Sequence, residues 1–297
     1  MSEQAVLAAT EISARRRAGW RQLRYNLSRD KKALFGVIVL SVFGLAAIFG
    51  PLIAPYDPNA MAFDMLMPPS WTHPLGTDDL GRDLLSRIIV GTQISLFVGV
   101  STVTIALVAG VTLGVLAGYF GGWLDYLIMR YIDLQWAFPN FLIAVYLVAV
   151  FGTGLTNVIV AISLAFLDDF ARIARGMVLS IREEQYVAAA RTVGVSHLRI
   201  MWRHILPNAV APIIVQATVA VSYAILGEAT LSFLGLGVEV TTPTWGLILA
   251  DARSFISRAW WLGLFPGMAI MLTVLSINFI GDALRDFLDV RETRDTT

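Results

Sequence analysis

The sequence has no cysteine and only two lysines, Lys31 and Lys32, in 297 residues. Without cysteine there is no disulfide framework, no thiolate metal site and no thiol nucleophile. The lysine pair follows Asp30, so the Gly-Lys step of a phosphate-binding P-loop is absent from the sequence. Any nucleotide-driven work would have to be powered by another protein. Charge is scarce too. Asp, Glu, Lys and Arg make up 15% of the residues, against about 25% in a soluble globular domain. That is too little to coat a water-facing surface, which excludes an ordinary cytosolic enzyme. The 57% apolar content excludes disorder. The 22 basic and 22 acidic residues balance, leaving no basic excess for nucleic acid.

What is present is long apolar runs. Six are expected to cross a bilayer, near residues 33–54, 92–120, 124–151, 155–174, 207–231 and 262–284; about 20 apolar residues suffice for one crossing. The first is longer than the apolar region of a signal peptide and is read as a span. The fold class is therefore all-α membrane protein with six transmembrane helices. The chain divides into a cytoplasmic basic segment (1–32), the first helix (33–54), an extracytoplasmic loop (55–91), a five-helix core (92–284) and a cytoplasmic tail (285–297). The core includes a cytoplasmic loop at 175–206 and an extracytoplasmic loop at 232–261. Orientation follows arginine and lysine: seventeen lie in the terminal segments and around the 175–206 loop, four in the two opposite loops. Trp123, Trp202, Trp245, Trp260 and Trp261 fall near span ends, where amphipathic rings favour the interface. Gly110, Gly114 and Gly118 share one helix face and predict close helix packing.

The 175–206 loop predicts two short helices with a break. Glu183 and Glu184 suit the first N-terminal turn, and Ala188, Ala189 and Ala190 combine helix propensity with a small profile. Gly194 suits the position after a helix end and Ser196 the next N-cap. Pro207 fits the first turn of the fifth span. Such a helix, projecting from the membrane, is suited to being gripped by another protein; lying on the lipid surface is the alternative that composition leaves open.

This run resembles the EAA loop of permease subunits of ATP-binding-cassette importers. Placing the consensus glycine on Gly194 sets its alanines on Ala189 and Ala190 and its Leu-Pro on Leu206 and Pro207. Ala188 and His204 depart from the general pattern. Glu184-x-Tyr186-Val187 and Arg203-His204-Ile205-Leu206-Pro207-Asn208 look instead like the peptide/nickel-permease branch. His73-Pro-Leu75-Gly76-Thr77-Asp78-Asp79-Leu-Gly81-Arg82-Asp83, Leu231-Ser232-Phe233-Leu234-Gly235-Leu236-Gly237 and Gly281-Asp282-x-Leu284-Arg285-Asp286 resemble the C-type (dipeptide/oligopeptide) subunits. The resemblance covers roughly 20–291, with Val290 where the branch usually has proline.

The resemblance implies a type I importer fold in a bacterial or archaeal cytoplasmic (inner) membrane, moving di- or oligopeptides by alternating access. Nickel chelates, glutathione or another small solute are the alternative cargo, and an ion-coupled secondary carrier the alternative class. It implies four partner subunits besides the bilayer: a homologous second permease subunit, two ATPase subunits that carry ATP and Mg, and an extracytoplasmic substrate-binding protein. No cofactor, metal or catalytic residue is assigned to this chain. Glu184, Tyr186, Ala189, Ala190, Arg191, Gly194, Leu206 and Pro207 are the ATPase-coupling candidates. Asp168, Asp169, Gln216, Glu228 and Asn278 are candidates for the pathway or gate. Arg172 stands three and four residues beyond the two aspartates, which allows local pairing; Glu228 is either a cavity acid or a water-exposed interfacial one. Asp78, Asp79 and Arg82 are candidates for an outward surface that receives the binding protein. His73, His197 and His204 fall on opposite sides and form no ligand cluster.

Overall fold

A computed structural model describes residues 30–239 and 241–295. Most of the basic segment expected at 1–32, and the last two residues of the tail, lie outside the described residues. Eleven helices are described, with no β-strand among the described residues beyond one isolated bridge, Thr77 to Asp83. They are α1 (Lys31–Ile53), α2 (Leu84–Phe120), α3 (Gly122–Trp136), α4 (Asn140–Phe151), α5 (Leu155–Ala165), α6 (Leu167–Ile181), α7 (Gln185–Thr192), α8 (His197–Ile200), α9 (Leu206–Phe233), α10 (Trp245–Ala252) and α11 (Trp261–Asp295).

All six expected apolar stretches are helical, two of them interrupted. Four described helices are long and apolar enough to cross a membrane, α8–α9 counting as one. A fifth crossing arises if α3 and α4, which meet at 91°, are one bent span. Pro139 causes that bend: it opens α4 and bars the preceding residue from helix. The stretch expected at 155–174 is divided at Phe166 (φ −103°, ψ 2°) into α5 and α6.

The second helix begins at Leu84, eight residues before the expected boundary. Asp83 starts it, its Oδ2 accepting from Ser86 N at 2.9 Å and from Ser86 Oγ at 2.7 Å. Residues 54–83 fold over this end as a cap. Within it Tyr56, Phe63 and His73 pack ring on ring, and His73 Nδ1 lies 2.9 Å from Asp83 Oδ1.

Helix α2 is the centre of the bundle, packing on α6, α1, α9, α5 and α3. At 37 residues it is about 55 Å long. Its glycines form the expected close seam, against α6: a Cβ on Gly110 would lie 2.5 Å from Leu167 O, one on Gly114 would overlap Ala171 O, and one on Gly118 would lie 2.9 Å from Val178 Cβ. Gly114→Leu is therefore expected to lower stability by about 1–3 kcal/mol, the usual cost of overpacking. Gly44→Leu is the control: a Cβ there meets nothing within 4 Å, and its effect should stay within about 0.5 kcal/mol. Thermal unfolding of the solubilised protein reads both, and equal midpoints would refute the seam.

Two tryptophans expected at the interface are interior. Trp245 is wholly buried, with Nε1 donating to Ile88 O at 3.2 Å and its ring edge-on to Phe43. Trp261 donates to Thr77 O at 3.2 Å beneath the cap. Trp123, Trp202 and Trp260 are exposed.

Candidate functional site

The loop after α6 has the expected two short helices, but Glu183 precedes α7 and α8 runs on into α9 as one helix, His197–Phe233. Glu184 takes the N-cap position of α7 without a side-chain cap bond. At the other end Val195 N donates to Ala190 O and Gly194 N to Arg191 O, both at 3.0 Å. This is a Schellman turn, and it needs a left-handed residue at Gly194, where φ is +77°. Ser196 holds the N-cap position of α8, again without a side-chain bond. Pro207 lies in the first turn of α9. It has no N–H for the carbonyl four residues back, and the chain widens there into a π-turn, Met201–Ile205, with Leu206 N bonding Met201 O. Asn208 Nδ2 covers His204 O at 2.7 Å.

One face of this loop is anchored. Val187, Ala190, Ile200 and Ile205 are buried in the main core. Ala190, expected to meet a partner, thus turns inward; a 100° step of helix phase separates it from Ala189. Glu184, Tyr186, Ala188, Ala189, Thr192, Val193 and Gly194 are exposed, Val193 by 78%. Leu206 is half-buried and Pro207 exposed. The Tyr186 hydroxyl accepts from Asn208 Nδ2 at 3.1 Å; desolvation, then the nearby Glu184 carboxylate, push the phenol above its usual range, so it stays neutral.

The loop is also tied sideways to the end of α2. The Tyr119 hydroxyl lies 2.8 Å from His197 Nδ1, the Arg191 guanidinium sits 5.2 Å over the Tyr119 ring, and Arg182 Nη1 donates to Gly118 O at 2.8 Å. Arg191, expected at a partner's rim, is exposed while also resting on the Tyr119 ring of its own chain.

The pathway candidates are dispersed. Asp168 is wholly buried and Asp169 half-buried. The local pairing with Arg172 does not form: Arg172 Nη2 reaches Asp133 Oδ1 at 2.7 Å and its guanidinium stacks on Trp136 at 4.5 Å. Gln135 Nε2 instead bridges the α5–α6 break, donating to Leu164 O at 2.6 Å and lying 3.4 Å from Asp168 Oδ1. Glu228 is buried, not a water-exposed interfacial acid. Its Oε1 accepts from Ser232 Oγ and Thr244 Oγ1, each at 2.8 Å, fastening α9 to the start of α10. Asn278 lines an apolar groove of about 700 Å³ with Leu226, Phe233, Leu249, Met271 and Leu275. Gln216 is half-buried and not among the groove's lining residues.

The outward candidates are not a surface. Asp78 and Arg82 are each 3% exposed and Asp79 is half-buried. Arg82 Nε pairs with Asp78 Oδ2 and its Nη2 lies 3.4 Å from Asp251 Oδ2. Arg87 lies 3.6 Å from Asp78 and 3.7 Å from Asp251. Burial pushes the Asp251 carboxyl up, opposed by Arg87 and Arg82. These four charges weld the cap to α10. Sequence reasoning missed Arg87 and Asp251 because their partners are remote in the chain; the scarcity of charge was the available signal. It also missed the bidentate pair of Arg175 with Asp125, at 2.6 and 2.7 Å, which ties α6 to α3.

Apolar spans around buried charges, with one short helix held out on a capped turn, define a multi-span membrane protein. The chain belongs to the family described as "Binding-protein-dependent transport system inner membrane component", which matches residues 110–294. Residues 19–69 match the "N-terminal TM domain of oligopeptide transport permease C". It is 46% identical over 275 residues to the dipeptide transport system permease protein DppC of Alkalihalophilus pseudofirmus, covering 91% of this chain and 89% of that one. It is 46% identical over 271 residues to the di/tripeptide transport system permease protein DppC of Pseudomonas aeruginosa, covering 89% of each. The glutathione transport system permease protein GsiD of Escherichia coli is 44% identical over 272 residues, covering 91% of this chain and 88% of that one. Among solved structures, an inward-facing MetNI methionine ABC transporter aligns with TM-score 0.55 and 19% identity, over 66% of this chain and 94% of that chain. At that identity the likeness is one of fold. The protein is thus a multi-pass inner-membrane component, as its apolar helices require.

Proposed function

We propose that this chain is the C-type permease subunit of an ATP-driven importer of di- and oligopeptides, working by alternating access. Its partners are a homologous permease, two ATPase subunits that hold ATP and Mg, and an extracytoplasmic binding protein. Both termini and the α7–α8 loop face the cytoplasm, in keeping with the arginine and lysine distribution. The observation that carries the reading is the division of α7 into two faces. Val187 and Ala190 root it in the bundle, while Ala188, Ala189 and Thr192 present a small, open face beside a fixed turn. That face suits close seating in a cleft of an ATPase. The groove lined by Asn278 supplies this chain's half of the path against the second permease. Peptide cargo is favoured because the relatives above are named for dipeptides, di/tripeptides and glutathione, itself a tripeptide.

The test is uptake of a labelled dipeptide by the complete transporter. Uptake should stop on ATP depletion and persist when the proton gradient is collapsed. The opposite pattern would mark an ion-coupled carrier. Competition by excess dipeptide, glutathione or a nickel chelate then ranks the cargo; the chelate competing alone would overturn the peptide reading.

A further inference from the structure

The α7–α8 loop has covalent routes into α6 and α9 only. Yet two contacts bind it to the last turn of α2, the Tyr119 hydroxyl on His197 and Arg191 over the Tyr119 ring, beside a bond from Arg182 at the end of α6 to Gly118 O. Tyr119 is not a free aromatic anchor at the lipid interface. It is 6% exposed, its hydroxyl meets one residue of α8 and its face meets one residue of α7. The chain's other partnered tyrosine in this region, Tyr186, stays within its own loop and the start of α9.

Helix α2 is unusual in what its two ends hold. Its first turn carries Asp83, which caps it, and Arg87, one of the charges that weld the cap to α10. Its last turn carries Gly118 and Tyr119. Between them the glycine seam holds α2 in close backbone contact with α6. A continuous 37-residue helix is stiff, because every interior residue holds a backbone bond to the next turn.

We infer that Tyr119 is a positioning residue for transport: by locking the α7–α8 turn to α2 it delivers motion of α7 along that helix to the extracytoplasmic cap. This rests on the coupling reading above. It adds a direct side-chain route from the ATPase face to the far side of the membrane, beyond the covalent routes through α6 and α9.

The experiment uses the complete transporter in proteoliposomes and reads peptide taken up per ATP hydrolysed. Tyr119→Phe keeps the ring beneath Arg191 and removes only the hydroxyl. ATP hydrolysis should stay within about twofold while uptake per ATP falls about fivefold or more, the low end of ordinary coupling free energies. His197→Ala should do the same. His197→Asn, with a polar atom near the position of Nδ1, should restore at least half of the natural ratio. Because the sequence has no cysteine, Ala189→Cys gives a single reactive thiol in this chain for cross-linking to the ATPase. That cross-link should form equally with and without Tyr119→Phe. Equal cross-linking with an unchanged ratio would overturn the inference and leave the coupling reading intact. No cross-link in either background would overturn the coupling reading itself. Loss of assembly in both Tyr119→Phe and His197→Ala would overturn the inference in favour of a bond that serves folding alone.

Discussion

Alanine at Asp78 is expected to cost the protein about 3–5 kcal/mol, the penalty for stripping one partner from a buried ion pair. Asp78 lies between Arg82 and Arg87, both almost wholly buried. Removing it leaves two guanidinium groups facing Asp251 alone, at 3.4 and 3.7 Å. Arg87 makes that imbalance severe, since its three nitrogens already lack a hydrogen-bond partner among the described residues. Asp78 also accepts from Leu80 N and Arg82 N, each at 2.9 Å, so the turn of the cap loosens with the charge. Thermal unfolding of the purified transporter should show the loss, together with faster proteolysis within residues 54–83. A second replacement provides the internal check. Asp78→Leu with Arg82→Met leaves Arg87 and Asp251 as a balanced pair, and should recover more than half of the lost stability. If the double variant were no more stable than the single one, charge balance would not be what holds the cap.

Arginine at Ala189 is expected to cut peptide uptake at least about tenfold while leaving the chain folded. Ala189 is exposed, so nothing within the chain has to yield, and stability should change by no more than about 0.5 kcal/mol. Across a seated interface the same change buries a long cation where a methyl group fitted. A central interface contact is commonly worth about 2 kcal/mol, or about thirtyfold in affinity. Ala189→Ser, nearly the same size, should keep most of the uptake. The measurement is uptake alongside recovery of the ATPase subunits with the tagged permease. Full uptake with arginine at 189 would remove α7 from the coupling surface.

What was legible in the sequence is what local chemistry decides. Gly194 is left-handed because its turn demands it, and Pro207 interrupts regular helix because it lacks a donor, so the α7–α8 loop follows from its own residues. The glycines of α2 were legible for the same reason: spacing alone put them on one face. Choices among distant partners were not. Arg172 had aspartates three and four residues away, yet pairs with Asp133, 39 residues off. Arg82 meets Asp251, 169 residues away. Asp78 and Arg82 read as surface charges because no local feature announces that residues 54–83 fold back over α2. Trp245 read as an interfacial ring for the same reason. Ala190 could have been assigned inward from its three-residue spacing to Val187, a period the family resemblance masked.

The attachment of Glu228 has a mechanical corollary. It grips Ser232 on its own helix and Thr244 at the head of α10, and Gly246 sits so close that a Cβ would lie 2.5 Å from Ala229 Cα. Parting the two helices would strand a carboxylate in an apolar setting. The last turns of α9 and helix α10 must therefore swing as a single block, like a door with its handle. The hinge has to be sought outside that block, at Pro212 within α9 or in residues 253–260 that lead to α11.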